Sequence, residues 1–172
     1  HIADELPKML RRLLPLSDRR EDNFIAGLSM GGMGALKIAM RRPENYSAVC
    51  CLSAGHTNYR FHEPKEDTPR FNRYFIAYGE AGPLPSEEAT LERARALAES
   101  GGPCPRVWQA IGEQDYLRAN AALTRDFFES LPGDPFQYEY REYPGRHNWD
   151  FWEARVPEML DFALRGRKER RP

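Results

Sequence analysis

The chain has 172 residues, 41% hydrophobic and 30% charged, the size and balance of one globular domain rather than of a disordered segment. Mean hydropathy is −0.72, and no apolar run approaches the roughly 18 residues of a membrane helix, which argues against a transporter or channel. The 25 basic and 26 acidic residues leave a net charge of −1, yet without residues 165–172 the count is 20 against 25. The acidic body excludes a nucleic-acid or membrane surface as the first reading, and Arg165, Arg167, Lys168, Arg170 and Arg171 read as a frayed, solvated tail.

Ile2, Leu6, Met9, Leu10, Leu13 and Leu14 recur at helical spacing and predict an amphipathic helix broken by Pro15. Residues 23–27 form a short apolar run ending in glycine. A helix follows over 31–42, with Met33, Leu36, Ile38, Ala39 and Met40 on its apolar side and Pro43 as its stop. Residues 46–52 predict a strand buried on both faces. From 55 to 85 the pattern dissolves into an irregular insertion, long for a plain connection. Ser86 is the expected cap of a helix reaching Glu99 and stopped by Gly101 and Gly102. A strand over 106–111, a helix over 117–131 with Leu117, Ala121, Leu123, Phe127 and Phe128 inward, a strand over 136–143 and a helix over 148–164 complete the chain. Strands alternating with helices imply a single α/β layered domain with a mostly parallel sheet.

Cys50, Cys51 and Cys104 are too few for a disulfide framework and wrongly spaced for zinc. They read as reduced thiols, and on that ground alone the expected setting is the cytoplasm.

Gly27-Leu28-Ser29-Met30-Gly31 fits G-x-S-x-G, a sharp strand-to-helix turn that holds a serine in a strained backbone above an α/β sheet. Glycines at both ends of the motif are expected on steric grounds, with Gly32 and Gly34 extending the close approach of strand and helix. The hydroxyl would stand at a helix N-terminus, with the Met30 N–H as one donor to a developing oxyanion. A serine needs a base within hydrogen-bond reach and a carboxylate to orient that base. Asp115 follows Ser29 by 86 residues and His147 follows by a further 32, each just beyond a predicted strand, in the order this fold uses. His56 and His62 fall in the irregular segment and His1 at the terminus. Glu113 and Asp150 compete with Asp115, although Asp150 suits the first turn of the last helix. Trp149, Phe151 and Trp152 read first as helix-to-sheet packing, with Trp149 kept beside Phe61 and Tyr78 as candidate substrate contacts.

These motifs, with Gly112-Glu113-Gln114-Asp115-Tyr116-Leu117 and the run from Pro144 through His147 to Trp152, resemble the esterase D family of α/β-hydrolases, especially its tributyrin-esterase branch. The resemblance covers nearly the whole chain. It implies a three-layer α/β-hydrolase fold, Ser29 as nucleophile, Asp115 as triad acid and His147 as base. It also implies short-chain acyl esters, acetylated or feruloylated sugars, or S-formylglutathione as substrates, with the segment from Phe61 to Tyr78 shaping the pocket. Family members carry a longer stretch before the elbow, with further strands and an oxyanion loop; here 28 residues precede Ser29 and none reads that way. The N-terminal strands are therefore expected to be missing, leaving an apolar sheet edge that needs the rest of a longer chain, a companion chain or a homo-oligomer to cover it. Loss of one oxyanion donor typically costs about 10²- to 10³-fold in rate.

The function expected is a serine carboxylesterase working on a small-molecule ester through an acyl-enzyme on Ser29, without metal or organic cofactor. An acyltransferase, thioesterase or peptidase with the same triad remains open, as does a binding domain that kept the fold and lost the activity.

Overall fold

The computed structural model describes residues 1–55 and 89–168. The irregular segment expected over 55–85, and with it Ser86 as a helix cap, lies almost wholly outside the described residues. Four strands, β1 (Phe24–Leu28), β2 (Ala48–Leu52), β3 (Arg106–Gly112) and β4 (Glu139–Tyr143), form one sheet in the order β1-β2-β3-β4, every pair parallel. The helices are α1 (Glu5–Leu13), α2 (Met30–Arg41), α3 (Thr90–Ser100), α4 (Arg118–Glu129) and α5 (Trp149–Lys168), with a single 3-10 turn at Arg20–Asp22.

Alternation along the buried strands sorts the core into two layers. Val49, Cys51 and Val107 face one way and pack with Leu36, Ala39 and Met40 of α2, Leu91 and Ala94 of α3 and Phe128 of α4. Ala48, Cys50, Leu52, Trp108 and Ala110 face the other way and pack with Phe151, Trp152, Phe162 and Ala163 of α5. Consecutive parallel strands joined by right-handed crossovers must carry their helices on one face, which accounts for α2, α3 and α4 lying together and leaves the second face to α5. Burial pushes the Cys50 thiol up to about 12 and raises Cys51 as well, so both behave as core residues.

Several boundaries and faces differ from the sequence reading. The fourth strand starts at Glu139 rather than 136, because Asp134 and Gln137 have left-handed φ of 45° and 44° and turn the chain there, while Phe136 is buried ahead of the strand. Helix α3 begins at Thr90 with Ala89 as its N-cap. In α4 the buried stripe is Ala121, Thr124 and Phe128, and Leu123, two residues or about 200° from Ala121, is exposed. Met33 is likewise exposed on α2, which turns Ala35, Leu36, Ala39 and Met40 to the core. The end expected to fray is helical as far as Lys168: Arg165 pairs with Glu139 and its guanidinium lies 5.1 Å from the Phe162 ring centroid. No residue of α1 is buried, and β1 has one strand neighbour among the described residues, leaving Phe24, Ile25 and Leu28 only half-buried. No helix among the described residues is long and apolar enough to cross a membrane.

Candidate active site

Parallel strands in register deliver their C-terminal ends to one rim, and each strand is followed there by a polar residue of the site. Ser29 follows β1, Ser53 follows β2, Asp115 lies three residues past β3 and His147 four past β4. The turn at Ser29 has φ 52° and ψ −124°, a conformation that costs a non-glycine residue of order 1–3 kcal/mol and is held here because β1 ends as α2 begins. Its N–H donates to the Leu52 carbonyl at 2.8 Å, fixing the serine backbone to the neighbouring strand.

The glycine requirement is narrower than the motif suggests. A Cβ on Gly27 would stand 2.3 Å from the Gly31 carbonyl carbon and oxygen, and one on Gly32 would stand 2.8 Å from the Ala54 Cβ. Gly31, expected to be sterically required, and Gly34, expected to extend the close approach into the helix, have nothing within 4 Å of an added Cβ. The crowding at the elbow is thus the Gly31 backbone seen from Gly27, and the second close approach is that of α2 to the loop after β2.

Ser29 Oγ makes no capping bond to its own helix; it lies 2.9 Å from His147 Nε2. On the other side of the ring, His147 Nδ1 lies 2.9 Å from Asp115 Oδ2 and 3.1 Å from Oδ1. Asp115 is buried, and its Oδ1 also accepts the Leu117 N–H at 2.8 Å, which orients the carboxylate across the start of α4. A carboxylate only accepts, so Nδ1 carries the ring proton and Nε2 has a lone pair for the Ser29 hydroxyl hydrogen. The arrangement can remove that proton as the oxygen attacks, and can hold the resulting imidazolium. Met30 is the first residue of α2, so its N–H is among the four at the helix start that lack an intrahelical acceptor, next to Ser29 Oγ and at the positive end of the helix dipole.

Sequence reasoning missed the parts that bring the acid and base loops together. Gln114 donates its N–H to the Gly145 carbonyl at 3.0 Å and accepts the Gly145 N–H on its side-chain oxygen at 2.8 Å. Gly145 has φ 153°, and a Cβ on Gly112 would stand 2.4 Å from its oxygen. Inside the sheet, Gln109 bridges Ala54 O at 2.9 Å, Ala121 O at 3.3 Å and the Tyr138 hydroxyl at 2.6 Å; one amide in an apolar strand was the available signal. The His147 ring touches two others, Tyr116 at 4.5 Å between centroids and Trp152 at 5.1 Å and nearly perpendicular. Phe151 and Trp152 pack on the sheet as expected. Trp149 does not: it is 70% exposed and stands edge-on to Trp152 at 5.2 Å. Glu113 is exposed beyond β3, and Asp150 lies in the first turn of α5. Phe61, Tyr78, His56 and His62 lie outside the described residues.

A serine on a strand-to-helix turn, joined through imidazole to a buried carboxylate on a parallel sheet covered by helices on both faces, defines the α/β serine-hydrolase class. The chain belongs to the Esterase family, whose model matches residues 1–163. It is 26% identical over 166 residues to an acetyl esterase of Caldicellulosiruptor saccharolyticus, a match covering 94% of this chain and 61% of that protein. Among solved structures it superposes on FphF, a fluorophosphonate-binding serine hydrolase of Staphylococcus aureus, with TM-score 0.79 and 22% identity over 93% of this chain and 61% of that one. The S-formylglutathione hydrolase FrmB of Staphylococcus aureus gives 0.71 and 21% over 93% and 58%. The chain therefore spans about three-fifths of the length of these relatives, and at these identities the structural likenesses speak for the fold.

Proposed function

We propose that the protein is a serine carboxylesterase that hydrolyses short-chain acyl esters of small molecules through an acyl-enzyme on Ser29. The observation carrying this is the continuous contact Ser29 Oγ to His147 Nε2 at 2.9 Å and His147 Nδ1 to Asp115 Oδ2 at 2.9 Å. Ser29 Oγ attacks the ester carbonyl carbon while its proton passes to Nε2, and the new oxyanion is held by the Met30 N–H. The tetrahedral species collapses, the carbon–oxygen bond to the alcohol breaks, and Nε2 returns the proton to the departing alkoxide. Water then repeats the sequence on the acyl-enzyme and releases the acid, restoring the Ser29 hydroxyl.

A short acyl group is favoured by the likeness to a protein named acetyl esterase. Tyr116 and Trp149, exposed beside the His147–Trp152 pair, join Phe61 and Tyr78 as candidate substrate contacts. The β1 edge, unpaired among the described residues, takes up a further strand, from additional chain or a companion protein, with which a second oxyanion donor would arrive. Buried free thiols suit a cytoplasmic setting.

The test is a fluorophosphonate probe with the adduct mapped by mass spectrometry. Labelling at Ser29 that is lost in His147→Ala supports the proposal; absence of labelling on the full chain sinks it. A p-nitrophenyl ester series then reads acyl length, each methylene in a fitting pocket being worth about 1–3 kcal/mol.

A further inference from the structure

The end of β2 touches both sides of the proton-transfer pair. Leu52 offers its carbonyl to the Ser29 N–H at 2.8 Å. The next residue, Ser53, is fully buried, has a left-handed φ of 47°, and donates its own N–H to the Ala110 carbonyl of β3 at 2.8 Å. That strained turn aims the Ser53 hydroxyl across the sheet, where its oxygen accepts the Trp152 indole N–H at 2.9 Å in the interior. Trp152 sits in the first turn of α5, and its ring stands at 86° to the His147 imidazole. Leu52, the last residue of β2, and Ser53, which follows it, thus reach Ser29 directly and His147 through one indole.

We propose that Ser53 is a positioning residue for His147: its bond to Trp152 locks the indole, and the locked indole fixes the tilt of the imidazole over Ser29 Oγ. The physical reason lies in what each contact controls. The in-plane bonds to Asp115 and Ser29 set how far the ring turns about its own axis. They do little against tilting out of plane, which only a group packed on the ring can resist. Tyr116 packs on it as well, but at 73% exposure it is free on its outer side, whereas Trp152 is buried and hydrogen-bonded. A backbone conformation disfavoured for serine is otherwise unexplained at a buried position. Such strain persists where surrounding structure enforces it and is concentrated at functional sites. Placing the hydroxyl against Trp152 gives it a purpose.

The inference rests on the esterase reading only for its kinetic arm. Ser53→Ala removes the acceptor and Trp152→Phe removes the donor while keeping a ring; either lowers kcat and the rate of Ser29 labelling by fluorophosphonate about tenfold, since misplacement of a reacting group by ~1 Å can cost up to ~10². KM stays within about twofold, because substrate affinity is not what the bond controls. The double variant is no slower than the worse single one, the two substitutions breaking one linkage. On the same full chain, 15N–1H NMR of the His147 imidazole shows its Nδ1–H signal broadened by exchange in both variants. Ser53→Gly, which relieves φ but also lacks the hydroxyl, behaves as Ser53→Ala does. Folded variants with unchanged labelling and an unchanged Nδ1–H signal overturn the inference, as do additive losses. If the wild-type chain itself is not labelled, the esterase reading has failed, and the imidazole signal alone decides the role of Ser53.

Discussion

Gln114 and Gly145 hold each other twice, the Gln114 N–H on the Gly145 carbonyl at 3.0 Å and the Gly145 N–H on the Gln114 side-chain oxygen at 2.8 Å. Asp115 follows the first residue directly and His147 lies two beyond the second, so this pairing sets the separation of Asp115 and His147. Gln114→Ala keeps the backbone bond and loses the exposed side-chain one, worth about 0.5–1.5 kcal/mol. The expected outcome is a small fall in melting temperature with a several-fold loss of kcat, and recovery in Gln114→Glu, which restores an acceptor. Steady-state kinetics with calorimetry checks it; loss of activity only in step with unfolding would contradict it.

The elbow glycines separate cleanly. Gly27→Ala places a Cβ against the backbone of α2 and is expected to destabilise by at least the ~1–3 kcal/mol of an overpacked core, with loss of Ser29 labelling. Gly31→Ala meets nothing within 4 Å inside a helix and should stabilise by about 0.5–1 kcal/mol. Denaturant unfolding of both variants tests this, and equal destabilisation would refute the assignment of crowding to Gly27.

Much of this was legible in the sequence, and what was not has a common cause. The elbow, Asp115 and His147 are read from short motifs at strand ends because strain, charge and chain order constrain residue type there. Parallel strands appear because a sheet covered on both faces needs near-continuous apolar runs, as in Ala48–Leu52, whose five residues are all buried. Gln114, Gln109 and Ser53 act through who lies opposite them across the sheet or between loops, and register is not written locally. The equivalence assumed for Gly27 and Gly31 failed for the same reason, since a collision depends on where each Cβ points. Trp149 and Trp152 look alike in sequence and share a helix face, yet Trp149, the first residue of α5, is exposed while Trp152 is buried.

Glu142 gives a pH dependence. Its carboxyl is held below the ordinary range by the Tyr140 hydroxyl, which donates to it at 2.7 Å, and then by Arg118 at 2.8 Å. A depressed folded-state value means the contribution is complete above the ordinary carboxylate range and is lost as pH falls through that range to the folded value. Glu142→Gln should therefore lower stability at neutral pH and flatten the decline on the acid side. Melting temperature measured across pH 3 to 7, a window of about the ordinary carboxylate range and above, decides it; parallel curves would contradict the role of Glu142.

The outer edge of β1 is apolar and, among the described residues, unpaired. Such an edge recruits strands. Sedimentation of the isolated 172-residue chain is expected to show concentration-dependent association, relieved by replacing the exposed Ala26 with lysine. A monomer that melts cooperatively at every concentration would contradict this.

The central claim is that Ser29 carries an acyl group between two proton transfers through His147. Mixing the full chain with p-nitrophenyl acetate and quenching during turnover, then locating acetyl groups by peptide mass spectrometry, tests it most directly. The account predicts an acetyl ester on Ser29 formed with a burst of p-nitrophenol, absent in Ser29→Ala and strongly slowed in His147→Ala. Hydrolysis that persists in Ser29→Ala, or acetylation confined to other residues, would contradict it.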